Sequence, residues 1–135
     1  MVEGPDIPVE FYVPLQTDGL VLVAEDGGEL IGFAANQACE DALHLWELDV
    51  RQDRQGRGVG KALVQATAAL ARRRNLPAVT LTTFSEIAWN APFYAALGFE
   101  RLDLAALNPR LATIREREAS LGLDMPARCV MRLTL

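Results

Sequence analysis

Apolar residues fall in short runs through the first half of the chain and at helical spacing just past its middle. Leu20 to Ala24 and Leu30 to Ala35 are two such runs. The polar link between them, Glu25-Asp26-Gly27-Gly28-Glu29, predicts a β-hairpin. Residues 36 to 42 read as a loop, and Leu43 to Val50 predicts a third strand. Val59, Leu63, Ala66 and Leu70 then recur at steps of four, three and four, one face of an amphipathic helix from about Gly58 to Arg74, which Pro77 stops. Ala78 to Phe84 is β-rich. Pro92 sits well in the first turn of a short helix from about Asn90 to Leu97, closed by Gly98. Phe99 to Leu104 predicts a strand. Leu107, Leu111 and Ile114 mark a helix ending near Leu121 with Gly122 as its cap, and Cys129 to Leu135 predicts the last strand. Before the hairpin, Pro5, Pro8 and Pro14 exclude a long helix and leave Phe11-Tyr12-Val13 as a short strand. The order is hairpin, strand, helix, strand, helix, strand, helix, strand. It predicts a mixed sheet with helices against it, in the α/β or α+β class, as one domain over residues 1–135.

Composition narrows the function more than the fold. A net charge of −5 over 135 residues argues against nucleic acid as a main partner. The one basic cluster, Arg72-Arg73-Arg74, falls where a helix is expected to end and cations favour the dipole. Cys39 and Cys129 are too few and too far apart for a metal site or a disulfide framework, so no metal and a reducing, cytoplasmic setting are expected. Glu3 and Asp6 stand where a signal peptide would be basic, and the run Leu20 to Ala24 is far too short to span a membrane.

Residues 54 to 61 read Arg-Gln-Gly-Arg-Gly-Val-Gly-Lys, between an expected strand and an expected helix. Glycines there let the backbone approach a ligand, and the unpartnered N–H groups of the first helical turn can meet a phosphate. Arg57 and Lys61 add positive charge. The P-loop pattern fails, because Ala62 stands where a hydroxyl should hold magnesium and Gln55 where its first glycine should be. The dinucleotide pattern fails as well, since its third glycine would fall on Lys61 or Leu63. The pattern Q/R-x-x-G-x-G/A is met at every position by Gln55-Gly56-Arg57-Gly58-Val59-Gly60.

That spacing resembles the pyrophosphate loop of the GCN5-related N-acetyltransferases, the GNAT family, which bind acetyl-CoA. Downstream, Phe93-Tyr94-Ala95-Ala96-Leu97-Gly98-Phe99 resembles the F/Y-Y-x-x-x-G-F signature closing the family's coenzyme-binding half, here in the compact Trp89-Asn90-Ala91-Pro92-Phe93-Tyr94 form of one subgroup. Many members place an asparagine seven residues before the tyrosine, whereas Asn90 stands four before Tyr94. The resemblance covers about residues 20 to 104. It implies a mixed, mostly antiparallel central sheet with helices on both faces and a splayed strand pair that binds coenzyme A. The helices that precede the hairpin in most members have no room here, so the acceptor pocket is expected to be more open, or completed by a second subunit in a homodimer.

The resemblance also implies a mechanism, direct transfer of acetyl from acetyl-CoA to a primary amine on a small molecule or a peptide. Pantetheine would lie along the backbone of Leu48, Asp49 and Val50. The pyrophosphate would rest on Gln55, Gly56, Arg57, Gly58, Val59, Gly60 and Lys61, and Asn90, Phe93 and Tyr94 would complete the coenzyme contacts. Tyr94 is the candidate acid for the leaving thiolate, a phenol with an ordinary pKa of about 10. Two residues are candidates for the base. Glu47 interrupts an apolar strand, and His44 is the single histidine, of ordinary pKa about 6.5. Simple alternation puts them on opposite faces of the strand, although the family often has a bulge there. Asp49 and Glu86, with the net negative charge, favour a cationic amine. The competing readings are a non-catalytic acyl-CoA-binding regulatory module and a nucleotide binder, the latter disfavoured by the two failed motifs.

Overall fold

The computed structural model describes residues 9–12, 19–85, 90–123 and 125–135. Val13, Glu86 and Trp89 lie outside the described residues. The chain has a mixed α/β fold with a mostly antiparallel sheet, and it forms two compact units, one running to residue 79 and including Leu135, the other spanning 80–134.

In the first unit four antiparallel strands follow in chain order, β1 (Val9–Tyr12), β2 (Gly19–Asp26), β3 (Glu29–Ala38) and β4 (Leu43–Val50). Gly27 and Gly28, both at positive φ, make the two-residue turn of the β2–β3 hairpin. Helix α1 (Val59–Arg73) covers one face of this sheet with Val59, Leu63, Val64, Thr67, Ala68, Leu70 and Ala71. Thr67 takes the buried place expected for Ala66, which is only half-buried. Arg72 and Arg73 close the helix at its negative end.

Gly32 marks how closely α1 approaches the sheet. A Cβ at this position would lie 2.9 Å from the Asp49 carbonyl oxygen, 3.2 Å from Leu63 Cδ1 and 3.3 Å from Val59 Cγ1. The first neighbour is backbone and cannot rotate away. Gly32→Ala should therefore cost about 2–3 kcal/mol by overpacking and lower the thermal midpoint by roughly 5–15 °C. An unchanged melt would show that β4 yields without cost.

The second unit carries β5 (Ala78–Phe84), most of which lies in it, α2 (Ala91–Ala96), β6 (Glu100–Arg101), α3 (Pro109–Ser120) and β7 (Arg128–Thr134), with the strands ordered β5-β7-β6. Helices pack on both faces of β5. Thr80 and Thr82 face α3, through Arg110 Nη2 to Thr80 Oγ1 (3.0 Å) and Thr82 Oγ1 to Glu118 Oε2 (2.5 Å). Thr83 faces the residue that opens α2. Arg128 completes the α3 side, pairing with Glu118 at 3.2 Å and lying 5.1 Å from the Phe84 ring centre. Leu111 and Ile114 pack on Val130 beneath them.

The strand expected over Phe99 to Leu104 is cut to two residues. Leu102 still donates its N–H to Val130, but Asp103 Oδ1 then accepts the Ala105 N–H at 3.0 Å and turns the chain into a short 3-10 turn. The late helix begins at Pro109 rather than Leu107, because Asn108 Oδ1 takes the Leu111 N–H as an N-cap.

Candidate active site

The glycine loop runs from the end of β4 to the start of α1. Gln52–Arg54 make one 3-10 turn, Gly56 follows at φ +79°, and Gly58 caps α1 at φ +83°, ψ 9°. Nothing crowds a Cβ at Gly56, so that glycine is required by backbone conformation and not by space. Helix α1 has no side-chain cap and no acidic residue in its first turn. Its first N–H groups and the positive end of its dipole are therefore open to an anion.

Side chains brace the loop from below. Arg54 pairs with Asp26 at 2.7 Å and approaches Glu29 at 3.9 Å, so it ties the loop to the hairpin and is not available to a ligand. Arg51 pairs with Asp53 at 2.7 Å, and its hydrogen bond holds the Asp53 carboxyl below the ordinary range. Both partners are exposed, so this pair adds little stability. Gln55 Nε2 donates to the Val50 carbonyl at 3.1 Å, which makes its side chain a brace within the loop. Arg57 and Lys61 are exposed and have no ionic partner among the described residues. They are the two loop cations that remain open to an anion.

Strand β4 carries the candidate bases. Its pairing with β3 slips by one residue: Asn36 stands opposite Leu45, and Ala35 opposite Glu47. Trp46 is the extra residue of this bulge. Because Gln37 and Ala35 share a face of β3, their partners His44 and Glu47 share a face of β4, and Asp49, opposite Phe33, joins them. This is the face away from α1, toward which Gly32 and Ala34 point. Without the bulge, His44 and Glu47 would face opposite ways.

The two candidates differ in access. Glu47 and Asp49 are exposed, whereas His44 is only 1% exposed. Trp46 lies edge-on against the imidazole, ring centres 4.5 Å apart, and its Nε1–H donates to Gln37 Oε1 at 3.0 Å. The indole is thus pinned over His44 while remaining 47% exposed itself.

In the second unit, Tyr94 lies on α2 between Phe93 and Phe99, with ring centres 5.1 and 5.4 Å away. It is 7% exposed, and burial pushes its phenol up to about 12. The group is neutral at any physiological pH, the state required of a proton or hydrogen-bond donor. Burial of the neutral phenol also links to stability. The folded and unfolded chains are both un-ionised below pH 10. Above it the unfolded chain loses its proton first, so about 2–3 kcal/mol of stability should be lost between pH 10 and 12. Denaturant melts across that range should show the loss in the native protein and not in Tyr94→Phe.

Asn90 opens α2. Its backbone carbonyl accepts the Tyr94 N–H at 3.0 Å, and its Oδ1 accepts the Thr83 hydroxyl at 3.0 Å. The first unit thus brings together the loop, Leu48 to Val50 and the pair Glu47 and His44. The second unit carries Asn90, Phe93 and Tyr94. The pattern of residues did not single out Trp46, Gln37, Arg54 or Thr83. An aromatic beside a mid-strand carboxylate was the only available hint for Trp46, and the partners of the others are distant in sequence. Among the described residues, no three His, Cys, Asp or Glu side chains converge as a metal would require, and no helix is long and apolar enough to cross a membrane.

Residues 17–101 match the family model described as an acetyltransferase (GNAT) domain. N-acetyltransferase 8F1 of Mus musculus is 31% identical over 85 residues, 58% of this chain and 38% of that protein. The chain spans about two fifths of the length of the curated relatives it matches. Among solved structures, a GNAT family acetyltransferase from Elizabethkingia anophelis with acetyl-CoA bound has the same fold, with a TM-score of 0.73 at 11% identity, covering 98% of this chain and 100% of that one. An IAA acetyltransferase from Bacillus cereus aligns with a TM-score of 0.72 at 16% identity, over 96% of this chain and 100% of that one.

Proposed function

The chain belongs to the GNAT acetyltransferase family, and from that membership we propose that it is an acyl-CoA-dependent N-acyltransferase, moving acetyl from acetyl-CoA to a primary amine by direct attack. The observation that carries the reading is the entrance to α1. A left-handed glycine, an uncapped helix N-terminus and two exposed cations, Arg57 and Lys61, with no ionic partner among the described residues, fit a pyrophosphate.

Each remaining residue then has a role. The amine must be neutral to attack, and an exposed Glu47 can take its proton, directly or through water. Backbone groups from Leu48 to Val50 hold pantetheine and offer a donor to the thioester oxygen as charge develops. The Tyr94 hydroxyl donates to the sulfur as the carbon–sulfur bond breaks. Asp49, exposed on the same face as Glu47, favours an acceptor that arrives as an ammonium.

Exposure favours Glu47 over His44 as the base. Glu47→Gln should lower kcat/KM about a hundredfold and abolish the acidic limb that the base imposes. His44→Ala should act mainly on stability, because it empties a buried position under Trp46. A pH–rate profile that loses its acidic limb in His44→Ala and keeps it in Glu47→Gln would reverse the assignment. The donor is tested by calorimetry: acetyl-CoA should bind and ATP should not.

A further inference from the structure

Two helices in the second unit open on asparagine with proline just behind it, Asn90-Ala91-Pro92 and Asn108-Pro109. At α3 the asparagine acts as an N-cap usually does, its Oδ1 accepting the Leu111 N–H at 2.9 Å. At α2 it does not. Asn90 makes no capping bond to its own helix, and its Oδ1 accepts the Thr83 hydroxyl from β5 at 3.0 Å instead. A cap of this kind ordinarily stabilises a helix, and α2 forgoes it for a tie to the strand.

The geometry at the other end of α2 says what the tie does. Six residues are too few for a self-supporting helix, so α2 stands where its ends are held. The C-terminal end is held by the Phe99 N–H donating to the Tyr94 carbonyl at 3.1 Å, and Gly98 there lies so close to β7 that an added Cβ would meet Leu133 Cδ1 at 3.2 Å. The N-terminal end is held by Thr83 through Asn90. Asn90 in turn accepts the Tyr94 N–H, one helical turn on. Side chains on a helix lean toward its N-terminus, so Tyr94 reaches back toward that end.

We propose that Thr83 is a positioning residue for acyl transfer: its hydroxyl, through the side chain of Asn90, fixes the N-terminal end of α2 and with it the place of the Tyr94 hydroxyl. The inference rests on the acyl-transfer reading and on the role given there to Tyr94.

The test measures thiol release from acetyl-CoA with hydroxylamine as the acceptor. Hydroxylamine is neutral near pH 7, which removes the base and the native acceptor from the comparison. Thr83→Val, isosteric but without the hydroxyl, should lower kcat on the order of tenfold with KM for acetyl-CoA within about twofold. Thr83→Ser should restore it, and Thr83→Ala serves if the valine proves too crowded to fold. In a Tyr94→Phe background the Thr83 substitution should cost nothing further. The protein without substrate gives an independent readout, since phenolate absorbance of Tyr94, isolated by subtracting the Tyr94→Phe curve, should appear at lower pH in Thr83→Val than in the native chain. Native turnover in Thr83→Val, the same fall in the Tyr94→Phe background, or an unchanged phenol titration would overturn the inference. Native turnover in Tyr94→Phe alone would instead remove the reading beneath it, and that single variant tells the two failures apart.

Discussion

Tyr94→Phe should lower kcat about a hundredfold and leave the dissociation constant for acetyl-CoA within about twofold. Proton donation by a placed side chain contributes roughly 10²–10⁴ in rate, and the environment of Tyr94 argues for the lower end. Burial between Phe93 and Phe99 raises the phenol to about 12. A thiol of the cysteine kind has a pKa of about 8.5, so complete transfer from this phenol to a free thiolate would run uphill by several units. The hydroxyl therefore acts as a hydrogen-bond donor to sulfur while charge builds, and solvent supplies the final proton. A second consequence is that the alkaline limb of the rate should not report Tyr94 at any pH below about 11. Phenylalanine keeps the ring contacts, so the fold should survive. Native turnover in the variant would take Tyr94 out of the mechanism.

Gly58→Val should raise the dissociation constant for coenzyme A on the order of thirty- to a hundredfold. Gly58 holds φ +83° at the mouth of α1, a conformation that costs an L-residue roughly 1–2 kcal/mol. Relief of that strain would rotate the first N–H groups of the helix away from the phosphate, at a further cost of about 1.5–3 kcal/mol for charge-assisted bonds. Gly122→Ala is the control. It sits at φ +84° past the end of α3 with open space where a Cβ would go. It should lower the thermal midpoint through the same backbone penalty and leave coenzyme affinity alone. If Gly58→Val and Gly122→Ala lowered stability alike and neither changed affinity, the loop would not be the phosphate site.

Where the chain's own periodicity carries the information, the elements are legible from it. Leu43 to Val50 and Ala78 to Phe84 appear as β4 and β5 at the expected residues, and α1 ends one residue from the expected limits, because apolar runs and a 4-3-4 spacing are local properties. The glycine loop is legible for the same reason. What escapes is set by partners far along the chain. Alternation alone separates His44 from Glu47. Only the slip at Trp46 unites them, and that slip depends on register with β3. Asn90 reads as the start of a short helix and stands at its N-cap position, but its side chain answers to Thr83. The burial of His44 is equally hidden, because it depends on an indole held by Gln37 from the neighbouring strand. The shortened β6 follows from one side chain, Asp103, turning the backbone where β propensity would continue it.

An N-acyltransferase must transfer acetyl to an amine, and not merely bind the donor. The most direct measurement incubates the protein with acetyl-CoA and a panel of small amines, polyamines and lysine-containing peptides, following thiol release and the mass of every amine. At least one amine should accelerate thiol release and gain the mass of one acetyl group per thiol freed, with both signals falling together in Tyr94→Phe and Glu47→Gln. Acetyl-CoA binding without acceleration by any amine, and with no acetylated product, would contradict acyl transfer by this chain.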